Sequence, residues 1–195
     1  EVEFHEVSCL GRCDIAPAVA VNERPAPVAE AETLVEEARS GPLPPAGARR
    51  SGERWPNDPY EPETRDYRLL RAVLSGEPAG EQIVSELNES GLRGMGGAGF
   101  PTGKKWDLVA NQEARPKYAI CNADESEPGT FKDRQIMAEQ PHLVLEGMLI
   151  GMAVTGANKG WVFIRHEYGP EEHVLREEIE RLRRMGVLDG TELEL

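Results

Sequence analysis

The stretch YAICNADESEPG, residues 118–129, decides the fold class of this chain. Its first residues, Tyr118 to Cys121, predict a short strand, and an acidic loop from Asn122 to Thr130 follows. Further elements alternate after this loop: a helix over 141–154, a strand over 161–164 and a helix over 170–185. Strands separated by helices of crossover length predict an α/β fold with a parallel sheet and right-handed connections.

A glycine loop, residues 91–103, precedes this strand and joins two predicted helices. The first helix starts near Pro78 and ends at Gly91, and the second runs from Thr102 to Asn111. Six glycines within 13 residues indicate a backbone that something approaches closely: Gly91, Gly94, Gly96, Gly97, Gly99 and Gly103. Loop N–H groups followed by a helix N-terminus make an anion site, to which Lys104 and Lys105 add charge.

Two known phosphate-binding motifs do not fit the glycine loop. It follows a helix, whereas the dinucleotide fingerprint follows a strand, and no Gly-Lys-Ser/Thr of a Walker loop is present. A turn-rich connector that binds nothing therefore stays an alternative interpretation of this loop.

The acidic loop lies just after the carboxyl end of a predicted strand, where open α/β sheets bind their ligands. Carboxylates accept hydrogen bonds from ribose or ribityl hydroxyls and from the imide edge of a flavin. Beside a phosphate-binding loop, the acidic loop therefore suits a nucleotide-like ligand. The alternatives are Mg²⁺ ligation and a solvated loop in which Asn122 and Asp124 cap turns.

The first 65 residues predict smaller elements. Residues 1–23 predict a strand around Val2, Phe4 and Val7, then a cysteine loop, Cys9 to Cys13, then a strand over 18–21. A helix over 29–39 and an extended segment with six prolines between Ser40 and Glu63 follow. Two thiolates four residues apart on a glycine-containing loop can both face one metal, so Cys9 and Cys13 can hold half of a [2Fe-2S] cluster.

Composition narrows the class of protein. With 195 residues, 39% hydrophobic and 29% charged, the chain has the composition of a globular protein with one ordinary core. A net charge of −13 repels phosphate backbones, so nucleic acid is not an expected partner. The longest apolar stretch, 143–154, is too short and too interrupted for a membrane span. Three cysteines favour a reducing compartment, and the cytoplasm is the default expectation.

The glycine and acidic loops together resemble a known family. Residues 91–106, GLRGMGGAGFPTGKKW, and 122–134, NADESEPGTFKDR, are similar to the NADH-oxidising flavoprotein subunit of respiratory complex I. The same module occurs in NAD-reducing hydrogenases and NAD-dependent formate dehydrogenases. The similarity runs from about Arg65 to the end of the chain and implies an incomplete Rossmann-like FMN-binding domain. Further flavin-binding segments and the cysteines of a [4Fe-4S] cluster are expected beyond Leu195, and we expect the chain to be a fragment at both ends.

The resemblance assigns roles to individual residues. It implies that FMN contacts Gly94, Gly96, Gly97, Lys105, Asn122 and Asp124, and that NAD contacts Phe100, Glu125 and Glu127. In this family a hydride passes from the nicotinamide to the flavin and electrons leave singly to iron-sulfur clusters. No catalytic base is needed, so the protein's task is to align two rings and tune the flavin.

The cysteine loop carries a second resemblance. CLGRCDIAP, residues 9–17, looks like the second cysteine pair of the thioredoxin-like [2Fe-2S] subunit that partners the flavoprotein. We therefore predict three regions: a remnant of that domain at 1–39, a proline-rich linker at 40–65, and the first part of the FMN/NADH domain at 66–195. The first cysteine pair is absent, so a complete [2Fe-2S] cluster is expected in a longer parent.

The expected function is that of an NADH:acceptor oxidoreductase flavoprotein subunit. Its expected partners are the iron-sulfur and catalytic subunits of a larger NAD-linked complex, with no direct membrane insertion and at most a peripheral membrane location. The first alternative is a non-catalytic truncated piece that docks to partner subunits. The second is a Mg-nucleotide phosphotransferase, which would lack its Walker lysine motif. The segment Arg165 to Tyr168 follows a predicted strand and is interpreted as a solvated strand end, with an approach to bound nucleotide as the alternative.

Overall fold

The structure is a computed structural model that describes residues 2–7, 9–44, 46–48 and 50–195. Its helices are α1 (Ala31–Ser40), α2 (Arg68–Leu74), α3 (Gly80–Ser90), α4 (Thr102–Ala110), α5 (Lys132–Glu139), α6 (Pro141–Thr155) and α7 (Gly169–Arg184). Its strands are β1 (Ala18–Val21), β2 (Arg24–Pro27), β3 (Tyr118–Ala123), β4 (Lys159–Ile164) and β5 (Glu192–Glu194). Short 3₁₀ helices lie at Cys13–Ile15, Val28–Glu30 and Pro62–Thr64.

The N-terminal part forms a hairpin followed by a helix. Strands β1 and β2 pair antiparallel, with Ala18 opposite Pro27 and Val21 opposite Arg24. The two turn residues, Asn22 and Glu23, both have positive φ, as a two-residue hairpin turn that matches the strand twist requires. Helix α1 packs on β1. The prediction of a strand over 18–21 is confirmed, whereas the sequence pattern does not predict β2.

The strand predicted around Val2, Phe4 and Val7 is wrong. Residues 2–7 form no strand, and these three apolar side chains are more than half exposed. Alternating apolar residues make a stable strand only when a neighbouring strand and a core face are available to them.

A three-stranded sheet has the order β3-β4-β5. Strands β4 and β5 are parallel, with Lys159 opposite Glu192 and Trp161 opposite Glu194. Helix α7 connects these two strands along the chain, as a parallel pair requires. Strands alternating with helices and a parallel pair confirm the α/β expectation.

Helix α6 lies very close to β4. A Cβ at Gly160 would stand 2.7 Å from Cε of Met148 and 2.8 Å from Sδ of Met152, so a larger residue there would have to displace the ends of these methionine side chains. Nearby, the buried amine of Lys117 donates to the carbonyls of Ala110, at 2.8 Å, and Thr155, at 2.9 Å. Lys117 thus satisfies the carboxyl ends of α4 and α6, where backbone acceptors lack helical partners.

The chain divides into two compact units, each made of discontinuous segments. The first comprises Glu1–Glu53, Asn122–Pro141 and Phe163–Glu177, and the second comprises Arg54–Cys121, His142–Val162 and Glu178–Leu195. The boundaries predicted from sequence, at 1–39, 40–65 and 66–195, remain a prediction. Among the helices of the described residues, none is long and apolar enough to cross a bilayer.

Candidate functional site

The glycine loop is pinned at its base within the second unit. The Gly94 N–H donates to the Phe100 carbonyl and the Thr102 N–H donates to the Leu92 carbonyl, each at 2.9 Å. The Arg93 guanidinium donates to the Gly99 carbonyl, also at 2.9 Å. These bonds close the base of the loop. The residues between them form its tip, which joins α3 to α4 along the chain.

The tip of the glycine loop faces open space. No atom comes within 4 Å of a Cβ built on Gly96, Gly97 or Gly99, and the nearest atom at Gly94 is 3.8 Å away. Neither protein packing nor a left-handed φ therefore explains the glycines at 94 and 96. Gly97 and Gly99, with φ of +96° and +59°, are required by the turn itself. The backbone of this tip is therefore left open to a ligand.

Helix α4 begins directly after the loop and is held tightly against α3. A Cβ at Gly103 would lie 2.6 Å from Oδ1 and 2.9 Å from the backbone nitrogen of Asn88. This close approach fixes the N-terminus of α4 at the base of the loop. Lys104 and Lys105 lie exposed in its first turn, where free N–H groups and the helix dipole already favour an anion.

The acidic loop belongs to the first unit and begins with a side-chain-stabilised turn. The Asp124 N–H donates to Oδ1 of Asn122 at 3.2 Å, and the Ser126 hydroxyl donates to Oδ1 of Asp124 at 2.8 Å. The Thr130 N–H closes the far end by donating to the Glu127 carbonyl at 3.1 Å. Asn122 and Glu127 are exposed, and Asp124 is half-buried.

Glu125 differs from the other carboxylates of the acidic loop because it is buried. One of its oxygens accepts the Asp133 N–H at 3.0 Å, and the other lies 3.1 Å from Nζ of Lys132. The carboxylate thus caps the first turn of α5, a position that a negative charge stabilises. A hydrogen bond with Asp133 first, and one with Glu125 second, raise the pKa of the Lys132 amine.

Arg165 and Tyr168, in the turn after β4, support the acidic loop from its other side. The Arg165 Nη1 and the Tyr168 hydroxyl each donate to the Glu125 carbonyl, both at 3.1 Å. Tyr168 has no solvent exposure, so the interpretation of 165–168 as a solvated strand end is wrong for this residue. Sequence reasoning did not predict that this pair contacts Glu125, because only the fold brings this turn beside residue 125. The available signal was that Arg165 and Tyr168 follow the carboxyl end of a strand, where ligands of α/β sheets bind.

The cysteine loop also lies in the first unit, beside the acidic loop. The Gly129 N–H donates to Sγ of Cys13 and the Gly11 N–H donates to Sγ of Cys9, each at 3.3 Å. Backbone N–H groups that point at sulfur suit thiolate ligands of an iron-sulfur cluster. Both thiols are free, and the described residues contain no group of three or more metal-binding side chains. The half-site predicted for Cys9 and Cys13 stays a prediction.

Buried ion pairs anchor the cysteine loop and the residues after it. The two guanidinium nitrogens of Arg12 each donate to one carboxylate oxygen of Glu171 at 3.1 Å. Arg134 pairs with Asp14 at 2.6 Å. Burial raises the pKa of Glu171, and the nearby Arg12 charge opposes that shift.

The structure therefore brings some of the predicted site residues together within one unit. Asn122, Asp124, Glu125 and Glu127 lie in the first unit with Cys9 and Cys13, whereas Gly94, Gly96, Gly97, Phe100 and Lys105 lie in the second. The predicted ligand contacts remain predictions.

Comparison with known proteins adds independent information. A sequence model of the Nuo51 FMN-binding domain matches residues 87–194. An NADH-quinone oxidoreductase subunit of Aquifex aeolicus is 49% identical over 122 residues, which are 63% of this chain and 28% of that protein. The alpha subunit of the NAD-reducing hydrogenase HoxS of Cupriavidus necator is 45% identical over 120 residues, 62% of this chain and 20% of that protein.

A solved structure matches nearly the whole chain. A chain of the NAD⁺-reducing [NiFe]-hydrogenase in its H₂-reduced state superposes with a TM-score of 0.72 and 29% sequence identity. The match covers 95% of this chain and 34% of the hydrogenase chain. This chain therefore spans about a third or less of the length of each of these proteins.

Proposed function

The chain belongs to the Nuo51 FMN-binding domain family, and we propose that it forms part of an NADH:acceptor oxidoreductase flavoprotein subunit. The observation that carries this proposal is the match over 87–194, which contains both the glycine loop and the acidic loop. The similarity to subunits named for NADH oxidation and for NAD reduction supports the same activity in the longer protein.

The glycine loop has the properties that FMN binding demands. Gly94 and Gly96 leave backbone uncovered, and the N-terminus of α4 with Lys105 supplies N–H groups and charge for a phosphate. FMN, when bound, accepts a hydride and passes electrons on singly. The proposed FMN contacts are those implied by the family resemblance: Gly94, Gly96, Gly97, Lys105, Asn122 and Asp124.

Phe100, Glu125 and Glu127 are the proposed NAD contacts. Phe100 and Glu127 are exposed and available to a ligand as they stand. Glu125 is buried, and its carboxylate is engaged by α5. A direct contact of this carboxylate with nucleotide would therefore require it to become exposed, and in the structure it holds the acidic loop against α5.

The remaining cofactors and partners belong to the longer protein. We propose that Cys9 and Cys13 contribute half of a [2Fe-2S] site and that a [4Fe-4S] cluster is bound beyond residue 195. The proposed partners are the iron-sulfur and catalytic subunits of a cytoplasmic or peripheral NAD-linked complex of the complex I, hydrogenase or formate dehydrogenase type. Relatives that are themselves subunits of larger enzymes support this assignment.

Anaerobic titration of FMN with this chain tests the proposal. We expect FMN fluorescence to be quenched on binding, and added NADH to bleach the visible absorption of the flavin. A folded chain that binds no FMN would favour the alternative of a non-catalytic piece that docks to partner subunits. Mg²⁺-dependent ATP binding in place of FMN binding would favour a phosphotransferase.

A further inference from the structure

The backbone carbonyl of Glu125 accepts two side-chain hydrogen bonds. Arg165 Nη1 and the Tyr168 hydroxyl reach it from the same turn, which joins β4 to α7, and both distances are 3.1 Å. Glu125 is the residue of the acidic loop whose side chain is buried. Two donors on one carbonyl fix the backbone at that point.

Both donors are themselves held in place. Glu167 accepts from Arg165 Nη2 at 2.9 Å and from Nε at 3.3 Å, which leaves Nη1 directed at the acidic loop. That hydrogen bond is the first cause of the raised pKa of Arg165. The ring of Tyr168 is fully buried, with the guanidinium carbons of Arg165 and Arg134 at 5.6 and 6.0 Å from its centroid.

The cysteine loop packs against the same two side chains. A Cβ at Gly11 would lie 2.7 Å from Cε1 of Tyr168 and 3.4 Å from Nη1 of Arg165. The side chain of Cys9 also contributes, after Glu167, to the raised pKa of Arg165. The cysteine loop thus closes the space into which Tyr168 and Arg165 would otherwise move.

The other hydrogen bonds of the acidic loop are local or come from the neighbouring helix. Asn122, Asp124 and Ser126 bond within the turn, and the Glu125 carboxylate bonds to α5. Distant sequence contacts the loop in three places among the described residues: the Gly129 N–H donates to Cys13, the Glu125 carbonyl accepts from Arg165 and Tyr168, and Oδ1 of Asp124 lies 3.7 Å from Nε of Arg165.

We propose that Arg165 and Tyr168 are positioning residues, which hold the acidic loop at the Glu125 carbonyl in the conformation that binds the nicotinamide nucleotide. This inference rests on the proposed function for the identity of the nucleotide. The positioning itself depends on the geometry of the first unit alone.

Tyr168→Phe is the sharpest test because it removes the hydroxyl and keeps the ring. The matched control is Tyr60→Phe, which also removes a buried hydroxyl hydrogen bond, that of Tyr60 to Glu146 at 2.6 Å in the second unit. Hydrogen exchange is measured on the ligand-free chain by mass spectrometry. We expect the peptide that covers 122–130 to exchange about three- to tenfold faster in Tyr168→Phe, and at the native rate in Tyr60→Phe.

The second readout uses the FMN-loaded chain. We expect Tyr168→Phe to raise the NADH concentration for half-maximal flavin bleaching about three- to tenfold and to change the rate at saturation less, because Glu125 and Glu127 are proposed NAD contacts, whereas FMN in excess keeps its contacts with the glycine loop. Arg165→Lys, which keeps the charge and loses the fork, is expected to change both readouts in the same direction.

Unchanged exchange of 122–130 in both Tyr168→Phe and Arg165→Lys would overturn the positioning role. Faster exchange with an unchanged half-maximal NADH concentration would overturn its link to nucleotide binding. If the unsubstituted chain binds no FMN, the proposed function fails, and the exchange experiment still decides whether the two side chains hold the loop.

Discussion

His142 Nε2 lies 3.1 Å from both carboxylate oxygens of Asp58, and both side chains are buried. His142 Nδ1 has no hydrogen-bond partner, so a proton on it would be unsatisfied and the ring is neutral with its proton on Nε2. Burial, with the charge of Arg65, lowers the pKa of His142, although Asp58 and Glu178 oppose that shift. Burial alone would raise the pKa of Asp58, but hydrogen bonds from Tyr60 and His142 lower it.

These two shifts predict that acid destabilises the fold in two steps. The folded chain binds fewer protons at His142 than the unfolded chain, so the free energy of unfolding falls as pH drops below about 6.5, the ordinary value for histidine. The lowered pKa of Asp58 adds a second loss below about 3.8. Urea unfolding followed by circular dichroism between pH 7.5 and 5 measures the first step.

His142→Gln should remove that first step and cost about 1–3 kcal/mol at pH 7.5, because a buried hydrogen bond to Asp58 is weakened. His173→Gln is the matched control, since His173 is exposed. It should keep both the stability and the slope. An unaltered slope between pH 6.5 and 5 in His142→Gln would show that another group is responsible.

Gly96→Ala separates FMN binding from folding. No atom lies within 4 Å of a Cβ at Gly96 and its φ is not left-handed, so the free energy of unfolding should change by less than about 0.5 kcal/mol. A methyl group between backbone and ligand should weaken FMN binding about tenfold, or about 1.4 kcal/mol. Fluorescence titration measures the dissociation constant.

Gly147→Ala is the control for this substitution. Gly147 is exposed in α6 with no neighbour near its Cβ position, and alanine there should stabilise the helix by up to about 1 kcal/mol and leave FMN affinity unchanged. Equal FMN affinities in Gly96→Ala and the unsubstituted chain would argue against the proposed contact at Gly96.

Gly11→Ala should destabilise the first unit. The φ of Gly11 is +63° and its Cβ would lie 2.7 Å from the buried Tyr168 ring, so strain and overpacking together should cost about 2–4 kcal/mol. Gly47→Ala, at a site with no neighbour and no left-handed φ, should cost less than about 0.5 kcal/mol. Urea midpoints compare the two; similar midpoints would mean that Gly11 does not pack as described.

Arg12→Met should cost about 3–5 kcal/mol because it leaves the Glu171 carboxylate buried without its partner. The double substitution Arg12→Met with Glu171→Met should recover most of this loss, since no charge is then left unpaired. Denaturant unfolding of both variants gives the comparison. A double variant no more stable than Arg12→Met would indicate that packing, rather than charge, dominates here.

Local sequence patterns predicted most of the helices and strands. The helix predicted to end at Gly91 does end there, because a residue with a left-handed φ of 68° stops α3. The strand after the glycine loop and the helix that begins at Thr102 are also confirmed, since apolar spacing and glycine placement are properties of a few neighbouring residues. The predicted strand at Val2 to Val7 failed because its alternation found no pairing strand.

Strand β2 was missed because Pro25 and Pro27 argue against a strand. In a two-stranded hairpin both strands are edge strands. The backbone nitrogens of prolines at alternate positions can therefore face away from the partner strand, where no N–H is needed for pairing. The proline-rich segment is predicted to be a linker or an extended segment along the surface. Its end is packed, with Asp58 and Tyr60 buried against His142 and Glu146.

Short motifs and local periodicity establish the α/β class, the glycine and acidic loops and the family to which the chain belongs, because each is a property of neighbouring residues. Tertiary structure decided that the Glu125 carboxylate caps α5 and that Arg165 and Tyr168 hold the Glu125 carbonyl. The bonds from Arg165 and Tyr168 join residues 40 or more positions apart, and folding creates them by placing the turn after β4 beside the loop after β3. Spacing along the chain carries no information about such distances, so the support for the acidic loop could only be found in the folded molecule.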